Sequence, residues 1–399
     1  MNHLKNWKKN IIRFLTAQTI SLLGSSIVQY SIIWYITIST SSGSMLTIAT
    51  VCGFLPQVII SLFAGVWIDR YDRKKMIILS DLMIAIMTLI LAVSFLSGYK
   101  NLWLLFIVLI VRSFGTGIQT PAVNAIIPQI VPNEQLMRIN GINSTLYSLM
   151  MFVSPAVSGA VLSILSLEAT LFIDIITAIV GIGITLTIKL QSYQRKDKID
   201  NSYLKEIKEG FTYLKENRFI KRLLMFQILI LFLISPSAFL TPLMVNRTFG
   251  PQVWRLTASE TTYSLGMVIG GLLITTWGGF KKKMNTTLLA GGLYGMIMIG
   301  LGLAPYFLLY LLLNMTIGIT SPCYNAPITV TIQEKVDASM HGRIFSLMQI
   351  STSCALPLGM VIFGPVADYI AIQWLLIGAG SIVLLLSLYV YLSHYFEIN

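Results

Sequence analysis

The feature of this sequence that most constrains its fold is a long stretch without any charged side chain. From Phe14 to Ile68 the chain contains no Asp, Glu, Lys or Arg. A helix that crosses a bilayer needs about 20 apolar residues, so this stretch has room for two such helices. Only 11% of the 399 residues are charged, whereas soluble domains carry about 25%. The sequence therefore predicts an integral membrane protein.

The apolar segments along the chain predict an all-α polytopic membrane protein with twelve transmembrane helices. Two six-helix bundles, residues 1–190 and 218–399, flank a polar linker at 191–217 that has the periodicity of an amphipathic surface helix. Nearly all Lys and Arg residues fall on the side of the two termini, so we expect both termini to be cytoplasmic. The predicted helices cover 11–38, 45–68, 74–98, 101–123, 137–165, 168–190, 218–246, 257–279, 284–303, 306–330, 340–366 and 371–395.

Short repeated motifs indicate that the two bundles are related. Residues 121–125 and 322–326 share Pro and Asn-Ala at the same spacing, and we expect them to end the fourth and tenth helices. The turn at 277–283 echoes the basic turn at 65–75 but lacks an acidic residue. Because these matches occur in the same order in both halves, they predict two parallel six-helix repeats.

The turn at 65–75 combines small, acidic and basic residues at fixed spacing. Gly65 allows a neighbouring helix to approach closely, and Asp69 follows four residues later. This pattern resembles the loop signature between the second and third helices of major facilitator superfamily transporters, except that Asp72 stands where the family usually has glycine. An ordinary basic turn is the alternative, but it explains only the cations. The resemblance implies a gate in which Asp69 meets the positive N-terminal end of helix eleven. The gate residues would be Gly65, Asp69, Arg70, Arg73, Lys74, Gly342 and Arg343.

Three charged residues within the predicted spans are candidates for proton coupling. Arg112 lies near the middle of helix four, where an arginine costs at least ~2.5–3.5 kcal/mol and needs a partner. The segment 112–117 resembles the Arg-bearing signature of helix four in the family, which is linked to proton transfer. Asp174 in helix six is the other deep charge, and near Arg112 it would take and release a proton. A structural ion pair and a loop-facing cap are the alternatives. Asp81 is expected to pair with Arg or Lys of the basic turns, with direct proton coupling as its alternative.

Helix five carries a second family-like motif. Gly141, Pro155 and Gly159 resemble the Gly-Pro signature found there in proton-driven exporters. Proline removes one backbone donor and bends a helix, and small residues allow close packing. The alternative is an ordinary kinked membrane helix.

Polar and aromatic residues in the helices that line family cavities are candidates for substrate binding. Scattered hydrogen-bonding groups without a fixed charge cluster favour a bulky lipophilic substrate over a sugar or a small anion. The sequence has no Gly-x-x-x-x-Gly-Lys-Ser/Thr loop, and its three Cys and three His residues are not clustered, so we expect a proton gradient as energy source, no cofactor and no metal. The candidate cavity residues are Gln18, Gln29, Trp34, Asn143, Tyr147, Gln227, Asn314 and Gln349.

Segments 53–56, 112–115 and 342–346 resemble the macrolide-efflux branch of bacterial major facilitator exporters. The resemblance implies proton-coupled antiport of a macrolide or other lipophilic drug by alternating access, in a monomer of the bacterial cell membrane. The basic residues lie in loops that flank the membrane and form no basic stripe, so we expect no nucleic-acid partner. Export of an endogenous metabolite such as a siderophore is the alternative within transport. A membrane sensor without flux is a remote alternative, and a membrane enzyme would need surface clusters of His, Asp or Glu that the sequence lacks.

Overall fold

The computed structural model describes residues 6–188, 212–214, 216–337, 340–393 and 395–396. Within these ranges the secondary structure is helical, as predicted. The first six helices are α1 (Trp7–Thr40), α2 (Gly43–Arg70), α3 (Arg73–Leu96), α4 (Leu102–Ile130), α5 (Leu136–Ile164) and α6 (Leu167–Leu186). The remaining helices are α7 (Arg218–Phe239), α8 (Thr241–Phe249), α9 (Val253–Trp277), α10 (Lys283–Leu303), α11 (Phe307–Lys335), α12 (His341–Val366) and α13 (Ile372–Leu392). Most of the predicted linker helix at 191–217 lies outside the described residues.

The chain forms two compact units. Of the described residues, unit 1 contains 6–39 and 48–188, and unit 2 contains 40–47 and the residues from 212 onward. The end of α1 and the first turn of α2 therefore belong to unit 2. The sequence did not predict this assignment, because it depends on contacts between residues far apart in the chain.

Eleven of the described helices are long and apolar enough to cross a membrane. The predicted span at 257–279 forms α9, a helix of 25 residues that is not among the eleven. Arg255, Glu260 and several Ser and Thr residues lower its hydropathy. The membrane character of the protein is thus clear, while the count of twelve spans stays a prediction.

Two helices continue beyond the proline motifs at which the sequence predicted them to end. α4 continues through Pro121 and Pro128, and α11 continues through Pro322 and Pro327. The prediction that the motifs around Pro121 and Pro322 end their helices was therefore wrong. A proline inside a membrane helix removes one backbone hydrogen bond, but ending the helix there would leave more backbone groups without partners in an apolar environment.

The predicted helix at 218–246 is instead two helices, α7 and α8, that meet at Leu240. The Leu240 N–H donates to the carbonyl of Pro236, which closes α7. Pro242 then lies in the first turn of α8, where a helix needs no N–H donor from it. The missing N–H of Pro242 therefore accounts for the break.

Helix packing within each unit follows one pattern. In unit 1, α3 packs against α4 and α6; in unit 2, α10 packs against α11 and α13. If α7 and α8 count as one interrupted helix, the third helix of each set contacts the fourth and the sixth. This correspondence agrees with the repeated sequence motifs.

Glycines bring α9 and α11 into close contact. A Cβ on Gly266 would lie 2.0 Å from the carbonyl oxygen of Met315, and one on Gly270 would lie 2.2 Å from that of Ile319. Only a residue without a side chain fits at these two positions.

Candidate functional site

A buried salt bridge joins α4 and α6 in unit 1. Arg112 and Asp174 are 4% and 1% exposed, and Nη1 of Arg112 donates to Oδ2 of Asp174. A charged pair this deep is stable only when further hydrogen bonds satisfy its remaining polar atoms. The structure therefore brings together the two deepest charges that the sequence singled out.

Two further helices supply most of those hydrogen bonds, while Nε of Arg112 is buried without a partner among the described residues. Thr88 of α3 donates to Oδ2 of Asp174 at 3.0 Å and accepts from Nη1 of Arg112. Ser25 of α1 donates to Oδ1 of Asp174 at 3.1 Å, and its carbonyl accepts from Nη2 of Arg112 at 3.1 Å. Both carboxylate oxygens are thus bonded, and α1, α3, α4 and α6 meet at one ion pair.

A glycine allows α1 to reach this site. A Cβ on Gly24 would lie 1.9 Å from Oγ1 of Thr177 and 3.2 Å from Cα of Asp174. The close approach of α1 to α6 at Gly24 places the adjacent Ser25 within hydrogen-bond distance of the carboxylate.

Asp81 has different partners from those predicted. Its Oδ1 accepts from Ser21 of α1 at 2.9 Å and from Nε2 of Gln119 of α4 at 2.6 Å. Asp81 is 3% exposed, and no Lys or Arg among the described residues forms an ion pair with it. The expected pairing with the basic turns was wrong because Asp81 of α3 faces α1 and α4.

The two buried carboxylates, Asp81 and Asp174, are surrounded by polar residues of the same three helices, α1, α3 and α4. Ser21 and Ser25 are one turn apart on α1, whereas Asp81 and Thr88, like Arg112 and Gln119, are two turns apart. Sequence reasoning missed Ser21, Ser25, Thr88 and Gln119. The signal that would have identified them was helical spacing: Ser21 and Ser25 are one turn apart, and Thr88 and Gln119 lie two turns after the charged residues of their own helices.

The basic turn between α2 and α3 is described only in part. Arg73 donates to the carbonyl of Ala125 at 2.6 Å. Lys74 donates to the carbonyls of Leu186 and Ile188 at 2.9 and 2.8 Å, so its charge lies at the C-terminal end of α6. These contacts fix the turn to α4 and α6 within unit 1.

Other parts of the predicted gate have local partners or are not described. Asp72 is the N-cap of α3 and accepts from the Lys75 N–H at 3.0 Å, which explains an acid at this position. Arg343 donates to the sulfur of Met340 at 2.8 Å. The contact of Asp69 with the predicted eleventh helix, which is α12 in the structure, stays a prediction. The side-chain environments of four gate residues lie outside the described part of the structure: Gly65, Asp69, Arg70 and Gly342.

The helix-five motif is split between buried and exposed positions. Pro155 and Gly159 are buried inside the continuous helix α5. Gly141 is exposed, and no atom lies within 4 Å of the Cβ it would carry. The described residues thus show close packing at Gly159 and none at Gly141, and the role of this motif stays a prediction.

The candidate cavity residues differ in accessibility. Trp34 is fully buried and packs against Tyr30, with ring centroids 5.6 Å apart, and Asn314 is 4% exposed and donates to the carbonyl of Ser259 at 2.6 Å. Both are enclosed by helix contacts in this structure, and their place in a substrate cavity stays a prediction. Gln227 is 1% exposed, and neither end of its amide has a partner among the described residues. Gln18, Gln29 and Asn143 are partly exposed, and Tyr147 and Gln349 are exposed.

The sequence analysis did not predict two features of unit 2. Glu260 in α9 is partly buried and has no hydrogen-bond or ion-pair partner among the described residues. The second feature is a carboxylate at the start of α2. Asp368 follows α12, and it accepts from the N–H groups of Gly43 and Ser44 at 2.6 and 2.9 Å and from Arg247 at 2.9 Å.

The environment of Asp368 favours its charged form. Burial alone would raise its pKa, but hydrogen bonds from Ser44, Gly43 and Ser42 outweigh burial and lower the pKa of Asp368 to about 2. The positive N-terminal end of α2 acts in the same direction. Neither Asp368 nor Glu260 belongs to a group of three or more potential metal ligands in the described part of the chain.

Comparisons with known proteins agree with this architecture. Residues 14–356 match the family model of the Major Facilitator Superfamily. The chain is 31% identical to macrolide efflux protein A of Streptococcus pyogenes over 391 residues, which is 97% of this chain and 96% of the relative. It is 20% identical to the staphyloferrin A transporter of Staphylococcus aureus over 90% of both chains. Its fold is similar to that of the nucleoside transporter NupG, with a TM-score of 0.73, 15% identity, and 98% of this chain and all of that chain covered. The chain thus belongs to the major facilitator superfamily of transporters, which are not enzymes.

Proposed function

We propose that this protein exports a macrolide-type lipophilic drug in exchange for protons, by alternating access. The observation that carries the proposal is the buried ion pair of Arg112 and Asp174, in a chain whose relative at 31% identity is a macrolide efflux protein. The protein would act as a monomer in the bacterial cell membrane, with both termini in the cytoplasm. A drug and a proton gradient would be sufficient, without a cofactor.

Asp174 is the proposed proton acceptor of the transport cycle. Protonation would remove its negative charge and with it the counter-ion of Arg112. Since α1, α3, α4 and α6 all bond to this pair, the loss of one charge would change the electrostatic attraction among four helices at once. This change would couple proton binding to a conformational step.

Asp81 is the proposed second proton-binding group. An ionised carboxylate buried without a counter-ion carries a desolvation penalty that protonation removes. Asp81 of α3 bonds to α1 and α4, the helices that also meet at the Arg112–Asp174 pair. The two sites lie one to two helical turns apart. A proton would thus pass between Asp81 and Asp174 while the drug crosses the membrane in the opposite direction.

Export of a siderophore is the second candidate function. It is favoured only by the distant similarity to a staphyloferrin A transporter, at 20% identity. Accumulation of labelled erythromycin and of labelled siderophore in inverted membrane vesicles, measured side by side, would separate the two substrates.

Proton coupling is tested by uptake of labelled erythromycin into energised inverted vesicles. Wild-type uptake should collapse when an uncoupler is added, and Asp174→Asn should give no uphill uptake. Glu168→Gln is a matched control, because Glu168 is a carboxylate in the first turn of the same helix and pairs with Lys100. Uptake must be normalised to the amount of folded transporter, since the variant leaves Arg112 without a counter-ion. Full uphill uptake by Asp174→Asn would rule out Asp174 as the coupling residue.

A further inference from the structure

A groove between α10 and α13 in unit 2 ends at a cluster of lysines. Its volume is about 680 Å³, and its walls are mostly apolar and aromatic side chains, leucines above all. Leu289, Leu293 and Met296 are 49%, 41% and 55% exposed. Because these helices are apolar enough to span a membrane, exposed side chains at this depth face lipid.

A second cavity of about 670 Å³ adjoins the groove and has a more polar lining. The two share Lys281, Lys282 and Asn285, and the second cavity adds Lys283 and Lys335. Among the lining residues that the structure describes, Glu334 is the one carboxylate, and it is paired with Lys283. The adjoining cavities therefore combine an apolar compartment with a cationic one.

The turn at 277–283 holds these lysines in place. Gly278 and Gly279 have φ angles of 74° and 77°, which a side chain would strain. The Phe280 N–H donates to Oγ1 of Thr286 at 2.9 Å. The exposed rings of Trp277 and Phe280 pack edge to face, with centroids 4.8 Å apart. Exposed aromatic residues beside lysines are typical of the boundary between membrane and water.

The length of the groove matches one leaflet of a bilayer. From Asn285 to Met296 the helix rises about 16 Å, and half of the hydrocarbon core measures about 15 Å. A ligand that fills both cavities thus has an apolar part as long as a leaflet is thick and an anionic part at the surface. This combination describes an anionic phospholipid.

We propose that this groove binds one anionic phospholipid, with an acyl chain between α10 and α13 and its phosphate at Lys281 and Lys282. Gly292 lies in the wall of the groove, where a Cβ would be 3.7 Å from Leu384 and 3.8 Å from Ser387, an ordinary contact. Alanine therefore fits at position 292, whereas a leucine side chain would occupy the space of the acyl chain. The site does not depend on what the protein transports.

The test is native mass spectrometry of the full chain in detergent, titrated with dioleoylphosphatidylglycerol or dioleoylphosphatidylcholine. The wild type should bind the anionic lipid more tightly. Each lysine near an anionic surface contributes ~1 kcal/mol, so Lys281→Gln/Lys282→Gln should weaken phosphatidylglycerol binding roughly 30-fold and leave phosphatidylcholine binding unchanged. Lys221→Gln is the control for the loss of one surface lysine, because this exposed lysine lies in the first turn of α7 and is not among the lining residues of either cavity.

A second pair of variants tests the apolar compartment. Gly292→Leu should lose the bound phosphatidylglycerol, and Gly292→Ala should keep it. Equal binding of the two lipids by the wild type, full retention in the double lysine variant, or complete displacement by inorganic phosphate would overturn the proposal. A dimer in place of the lipid adduct would show that a second copy of the chain occupies the groove. If Gly292→Leu fails to fold, as judged by thermal unfolding, the lysine variants decide alone.

Discussion

Arg112 of α4 and Asp174 of α6 form a salt bridge whose side chains are only 5% and 1% exposed. The guanidinium and the carboxylate share Thr88 and Ser25 as hydrogen-bond partners, so four helices depend on one pair of charges. In such an apolar interior, the removal of one charge has a larger effect than the removal of both.

The first prediction concerns the stability of this pair. Arg112→Met should lower the free energy of unfolding by about 3–5 kcal/mol, because Asp174 is left as an unpaired buried charge. The double variant Arg112→Met/Asp174→Asn should recover most of this loss, since neither charge remains, yet it should still fail to drive uphill transport. Thermal unfolding in detergent measures the stability. A double variant no more stable than Arg112→Met would contradict a compensated buried pair.

The second prediction distinguishes Asp81 from Asp174. Asp81→Asn keeps an oxygen that accepts from Ser21 and Gln119, and it removes no partner of a cation. We therefore expect its unfolding free energy to stay within about 1 kcal/mol of the wild type, while uphill transport falls. Gln119→Leu removes one donor to Asp81 and should destabilise the protein by about 1–3 kcal/mol. Similar melting temperatures of Asp81→Asn and the strongly destabilised Arg112→Met would contradict this distinction.

The third prediction concerns pH and Asp368. Because the pKa of Asp368 is lowered to about 2 in the folded protein, against about 4 in an unfolded chain, its stabilising contacts are complete above pH ~4. They are lost as the pH falls from ~4 towards ~2. The difference in melting temperature between the wild type and Asp368→Asn should be constant from pH ~5 to ~8 and shrink below pH ~4. A difference that changes between pH 6 and 8 would mean that another group titrates with Asp368.

The fourth prediction uses two neighbouring glycines of α9. A Cβ on Gly270 would lie 2.2 Å from the carbonyl oxygen of Ile319, whereas no atom lies within 4 Å of a Cβ on Gly271. Gly270→Ala should cost about 1–3 kcal/mol by forcing α9 and α11 apart. Gly271→Ala is the matched control and should be neutral or stabilise the helix by up to ~1 kcal/mol. Equal melting temperatures would show that the two helices separate without cost.

The charged residues inside the membrane-spanning segments show what the sequence alone could predict and what it could not. A charged residue inside an apolar segment is visible without a structure, and its cost in lipid predicts a partner. The identity of the partner depends on how each helix is rotated about its axis. Asp81 was therefore assigned to the basic turns, although it bonds to Ser21 and Gln119. Glu260 was missed for a different reason, since its polar surroundings placed it near a predicted helix end.

The sequence by itself determined the membrane class, the positions of most helices, the repeated halves and the family, because these depend on apolar length, local charge and short motifs. Tertiary structure decided that residues 40–47 belong to unit 2, that the helix breaks at Leu240, and that Trp34 is enclosed. It also decided that Arg112 meets Asp174. The physical reason is that these outcomes depend on which faces of distant helices come into contact, and small residues such as Gly24 set how closely they approach.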